Sequence, residues 1–165
     1  MKKLTTGSLV AALVIAAPAG AIAAKMHVDN GAGPTVVHDH GYDAIHTEVH
    51  SKSRDGSTTV RLTVVGLPVG ATYGAHVHTK PCGELATDSG GHYQHSTDAA
   101  VPLAEREVWL DITPDGTGAA VSTATVPWEF APGTAGSVVV HALPTNPTTG
   151  AAGARLACTT VTFGE

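Results

Sequence analysis

His76 and His78 stand at alternate positions in the run Gly74-Ala75-His76-Val77-His78-Thr79, which closes on Lys80-Pro81-Cys82-Gly83. In a strand alternate side chains share a face, so both imidazoles would lie together while Ala75, Val77 and Thr79 point the other way. Two imidazoles side by side are half of a metal site, although the same pair also suits a solvated strand. The company they keep favours the metal. Gly90-Gly91-His92-Tyr93-Gln94-His95 places a histidine after two glycines that let the backbone approach closely. Ser137 to Ala142 is a Val-rich strand ending in His141. With Val138 and Val140 turned to the core, His141 points outward, as His76 and His78 do when Val77 points inward. Three histidines then share the outside of a sheet, beneath the loop that carries His92.

The elements that must position them read as short strands. Tyr42 to Ser51 alternates, with Ile45, Thr47 and Val49 facing a core and His46, Glu48 and His50 facing out. These last three read as a solvated face, with a surface metal patch as the alternative. Asp55-Gly56 makes a turn, and Thr59 to Gly66 returns as the second arm of a hairpin. From Cys82 to Val108 no period is sustained, and a loop of that length in a small domain is usually functional. Strands resume at Glu107 to Thr113, Gly118 to Pro127, Ser137 to Ala142 and Ala154 to Phe163. Val, Thr, Ala and Gly abound and aromatics are scarce, which favours an antiparallel sandwich or barrel.

Composition narrows the function. Residues 1–24 read as a secretory signal, with Lys2 and Lys3, an apolar centre from Leu9 to Ala17, and small residues before a cleavage after Ala23 or Ala24. That apolar run is too short to span a bilayer, so no permanent membrane anchor is expected. Residues 25–41, with His27, His38 and His40, read as a flexible extension, and 42–165 as one domain. If cleavage follows Ala24, the new terminus Lys25-Met26-His27 offers Cu(II) a square plane. Without Lys2 and Lys3 the chain keeps seven basic against fourteen acidic residues, which argues against nucleic acid as a partner. Cys82 and Cys158 are the only cysteines. In an oxidising compartment they read as one disulfide, with two buried thiols as the alternative.

In sum, the chain from about Tyr42 to Phe163 resembles the copper–zinc superoxide dismutase family. The matching pieces are Gly74-Ala75-His76-Val77-His78, Gly90-Gly91-His92-Tyr93, Ser137-Val138-Val139-Val140-His141-Ala142, and Gly150-Ala151-Ala152-Gly153-Ala154-Arg155-Leu156-Ala157-Cys158. The resemblance implies an eight-stranded antiparallel Greek-key barrel with two long loops over an outer-wall site. It implies copper on His76, His78, His92 and His141, a disulfide between Cys82 and Cys158, and Arg155 as the guide for an anionic substrate, superoxide. Lys80 reads as a solvated loop charge, with help to that guide as the alternative. His92 would also relay a proton.

The zinc half of the family pattern is missing. After His92 only His95 follows, Glu107 stands where a histidine is expected, and Thr145 stands about where an acidic residue would link two metals. This resembles a copper-only branch, secreted and lacking zinc. With zinc absent, a carboxylate at Glu107 is free to hold the far nitrogen of His92, with an exposed strand-end glutamate beside Arg106 as the alternative. A rearranged zinc site from His92, His95, Asp98 and Asp111 is the alternative. A non-enzymatic copper buffer on the same fold is the rival function.

Overall fold

The computed structural model describes the backbone of residues 26–31 and the whole of residues 34–164. The expected signal segment 1–24, and Lys25 of the expected terminal copper motif, lie outside the described residues. In chain order the strands are β1 (Met26–Gly31), β2 (Thr35–Val37), β3 (His46–Arg54), β4 (Ser57–Val65), β5 (Ala75–His78), β6 (Ala120–Val126), β7 (Ser137–His141) and β8 (Arg155–Thr160). They form two antiparallel four-stranded sheets, ordered β1-β3-β4-β6 and β2-β8-β7-β5. The expected all-β architecture is present, as two sheets facing one another and not as one closed barrel.

The β3–β4 hairpin shows why the local sequence folds as it does. Arg54 pairs with Ser57 across a two-residue turn in which Asp55 and Gly56 both have positive φ, 51° and 80°. Asp-Gly tolerates that geometry, whose twist matches the strands it joins. Along β3 burial alternates strictly, placing Thr47, Val49, Ser51 and Ser53 inward and His46, Glu48 and His50 outward. Val49, Val60, Leu62 and Val64 of the first sheet meet Ala75, Val77, Val138, Val140 and Leu156 of the second in one apolar core.

Two expectations change. The extension over 25–41 contains strands: β1 pairs with β3 and β2 pairs with β8. Its polar, glycine-bearing sequence hides this, because the pairing satisfies backbone groups along the edges of strands distant in sequence. The segment from Glu107 to Thr113 keeps its alternation, with Val108, Leu110 and Ile112 buried. It joins β5 through an isolated bridge, His76 to Trp109, and the residues before β5 through another, Tyr73 to Ile112. Among the described residues no helix is long and apolar enough to cross a membrane.

Candidate metal centre

β5 and β7 are neighbours with Val77 opposite Val138 and His76 opposite Val139. Opposed residues share a face, so the core takes Val77 and Val138 while His76 and His78 stand on the outer surface. His141 joins them from the end of β7. His92 arrives from the first long loop, which lies along β5: Thr79 N–H donates to Gly91 O (3.0 Å) and Tyr93 N–H to Val77 O (2.8 Å). Tyr93 anchors this segment in the core. One ligand nitrogen from each of the four histidines falls within 4.8 Å of the others.

Each ring is oriented by a partner on its far side. Nδ1–H of His78 donates to Gly90 O (3.1 Å) and Nδ1–H of His141 to Gly153 O (3.3 Å). His92 Nδ1 lies 2.9 Å from Glu107 Oε2. These contacts turn Nε2 of all three rings inward. His76 is reversed, with Nε2 2.7 Å from Thr145 Oγ1 and a buried Nδ1 that has no hydrogen-bond partner. Nε2 of His78 and Nε2 of His141 approach to 3.3 Å. Since both Nδ1 atoms are committed as donors to carbonyls, two neutral rings aim lone pairs at each other. A cation between them removes that repulsion. Imidazole–metal bonds of about 2.0–2.1 Å set nitrogens about 2.9–4.2 Å apart across one ion, so the His78–His141 pair already has the separation of two ligands on one metal.

Burial keeps the site ready. His76 and His78 are 0% exposed and His141 3%. Desolvation, aided by the neighbouring imidazoles, lowers His76 to about 2 and His78 to about 3. His141 falls to about 4, again chiefly through desolvation. These rings stay neutral, with lone pairs available, well below neutral pH. The His92 side chain is 19% exposed, so the site opens on its side.

Glu107 is 4% exposed. Besides His92 it receives Trp109 Nε1–H at Oε2 (2.7 Å) and Gln94 Nε2–H at Oε1 (2.8 Å). Burial alone would raise its pKa, but the hydrogen bonds from His92, Trp109 and Gln94 outweigh that and lower it. Gly150 of the second loop, residues 142–154 between β7 and β8, closes over the pair: with φ of 70°, a Cβ there would sit 3.3 Å from Glu107 Oε2 and 3.7 Å from His92 Nδ1.

Arg155 owes its place to a register shift in the β7–β8 ladder. Val140 pairs with Ala157 but His141 pairs with Arg155, so β8 carries one extra residue at Leu156. This bulge sends Leu156 to the core, 0% exposed, and puts Arg155 on the face of His141. Its Nη1 donates to Ala86 O (2.7 Å) and Ser89 Oγ (2.9 Å), in the 3-10 turn Ala86–Ser89. The disulfide between Cys82 and Cys158 ties that loop to β8, as expected.

The rearranged zinc group does not assemble. His95 stacks on Trp128, with ring centroids 4.5 Å apart, Asp98 caps the amide of Ala100, and Asp111 accepts from Thr145. Among the described residues the four-histidine cluster is the one group placed to hold a metal. Lys80 is exposed on its loop, as are His40, His46 and His50, while His38 is half-buried. The sequence reading missed Gln94, Trp109 and the Asp111–Thr145 contact. The alternation of Glu107, Trp109 and Asp111 against Val108, Leu110 and Ile112 is the signal that could have found two of them.

A family model described as copper/zinc superoxide dismutase (SODC) matches residues 45–161. Among solved structures the chain is similar to the clock protein EA4, with a TM-score of 0.53 and 19% identity, covering 82% of this chain and 93% of that one. That likeness concerns the fold. No curated protein matches the chain.

Proposed function

The chain belongs to the copper/zinc superoxide dismutase family, and from that membership we propose that it dismutes superoxide outside the cytoplasm at a single copper held by His76, His78, His92 and His141. The observation that carries this reading is the convergence of four oriented imidazole nitrogens within 4.8 Å of one another. When bound, copper supplies one-electron chemistry, accepting an electron from one superoxide and giving an electron to the next. Two superoxide anions and two protons thus become dioxygen and hydrogen peroxide.

The chain's own residues would do the rest. Arg155 would draw the anion in, because a local positive charge can reverse the long-range repulsion of an acidic protein. Two hydrogen bonds from Nη1 hold its guanidinium against the Ala86–Ser89 turn, on a residue whose strand partner is His141. His92, whose side chain is 19% exposed, would take a proton from water at Nε2 when that nitrogen is not holding the metal and give it to the reduced oxygen. Glu107 would keep its ring angle fixed while it does so.

Two features support a site without zinc. His92 Nδ1, the atom that would face a second metal, is 2.9 Å from Glu107 Oε2. Gly150 packs against both partners. The signal-like sequence of residues 1–24 and the disulfide support export. Elemental analysis of the secreted protein, followed by superoxide consumption before chelation, after chelation and after copper return, tests the proposal. Copper without zinc, with turnover lost and restored, is expected. Copper with negligible turnover would identify a buffer, and an equal amount of zinc would restore the bimetallic form.

A further inference from the structure

The one histidine that presents Nδ1 to the cluster is held differently from the rest. His76 Nε2 meets the hydroxyl of Thr145 at 2.7 Å. That hydroxyl donates to Asp111 Oδ1, and the Thr145 amide donates to Asp111 Oδ2 at 2.9 Å. A hydroxyl has one proton to give. With that proton directed to Asp111, Thr145 Oγ1 can only accept from His76, so Nε2 must carry the hydrogen and Nδ1 must carry the lone pair. The Nδ1 so bared is the buried atom without a partner.

We propose that Asp111 and Thr145 form a positioning relay that locks His76 in its metal-binding tautomer. The inference rests on the copper reading above for its purpose, though the relay itself is a property of the metal-free chain. Its parts are placed by the fold. Asp111 lies two residues beyond Trp109 and four beyond Glu107, so all three side chains leave one face of an extended segment whose other face is core. One face therefore carries both carboxylates: Glu107 holds His92 directly, and Asp111 holds His76 through Thr145. Gly74 makes room for the hydroxyl, since a Cβ there would lie 2.8 Å from Thr145 Oγ1 and 2.6 Å from Ala152 Cβ. The second loop is bound to the same place by the Gly74 N–H to Leu143 O hydrogen bond of 2.8 Å.

The relay makes a directional claim that a merely structural contact would not. In Asp111→Asn, the Thr145 amide still needs an acceptor, which takes the side-chain carbonyl and leaves the NH2 against Oγ1. Thr145 then receives a proton from residue 111 and turns its own toward Nε2, so His76 should move its hydrogen to Nδ1. Thr145→Val removes the hydroxyl and should free the tautomer, while Thr145→Ser should restore the wild-type state.

Nitrogen-15 NMR of the metal-free protein reads the His76 tautomer directly, and competition with a chelator reads Cu(II) affinity. The expected result is Nε2–H in the wild type and Thr145→Ser, Nδ1–H in Asp111→Asn, and about tenfold weaker copper binding in Asp111→Asn and Thr145→Val. Should Thr145→Val fail to fold, Asp111→Asn and Thr145→Ser carry the test. Unchanged Nε2–H in Asp111→Asn, with copper affinity within about twofold of wild type, would overturn the relay. A wild type that binds no copper would overturn the proposed function instead, and the tautomer result would still decide the relay.

Discussion

Among the described residues, β5 and β3 each line up two histidines on one outward face, and only β5 contributes to a cluster of ligand nitrogens. On β5, His76 and His78 are 0% exposed. On β3, His46, Glu48 and His50 follow the same spacing, yet the side chains of His50 and Glu48 are 46% and 57% exposed and pair with each other at 3.0 Å. The difference lies in what covers each face. Two long loops lie over β5, β7 and β8, and their turns offer the carbonyls of Gly90 and Gly153 to the far side of the rings. Over β3 the outer face meets water. Spacing brings imidazoles together, but a covering layer with acceptors on it decides which nitrogen faces inward.

Substitutions at the two strands should separate them most sharply. Replacing His78 with Ala should weaken copper binding by at least about 100-fold, beyond the usual cost of losing an orienting partner, and abolish superoxide consumption. His46→Ala and His50→Ala should each change copper binding by less than about twofold, as expected of open surface positions. Equal losses at both strands, measured by chelator competition, would erase the distinction.

Arg155→Met should leave copper content unchanged and slow superoxide consumption by about tenfold or more at low ionic strength. Added salt should slow the wild type and leave the variant nearly unaffected, because screening acts on the attraction that the variant lacks. Glu107→Gln should weaken copper by about tenfold, since a neutral amide cannot replace a carboxylate that accepts from His92, Trp109 and Gln94 at once. An unchanged copper affinity and activity in that variant would remove the role assigned to Glu107.

The gentlest test is acid. His76, His78 and His141 are lowered to about 2, 3 and 4 from 6.5. Between those values and about 6.5 the unfolded chain binds more protons than the native one, so stability of the metal-free protein rises with pH through that window and is lost as pH falls. Denaturant midpoints of the metal-free protein should therefore decline from about pH 6.5 towards pH 4. A flat profile would mean that the three rings are not desolvated as the structure has them.

The comparison also shows what was legible in the chain. The shared outward face of His76, His78 and His141 was legible from strand alternation and the cysteine pair from its count, whereas Arg155 was named only through the family resemblance. Glu107 was legible as a carboxylate standing where a ring was expected. Asp111 and Thr145 were not, since they lie 34 residues apart and meet only when the second loop folds over β5. The bulge at Leu156 was hidden too, because an extra residue in a strand leaves no mark on composition. β1 and β2 escaped for the same reason: edge pairing depends on a partner's free backbone groups and not on local hydrophobic pattern.

The central claim is that one copper on four imidazoles suffices. Metal-free protein titrated with copper, with zinc excluded, and assayed by direct optical decay of superoxide tests it in one series. The account predicts a decay rate that climbs linearly to one copper per chain and then levels off. A rate that stays at the copper-free baseline through full loading, or rises only when zinc is added, would contradict it.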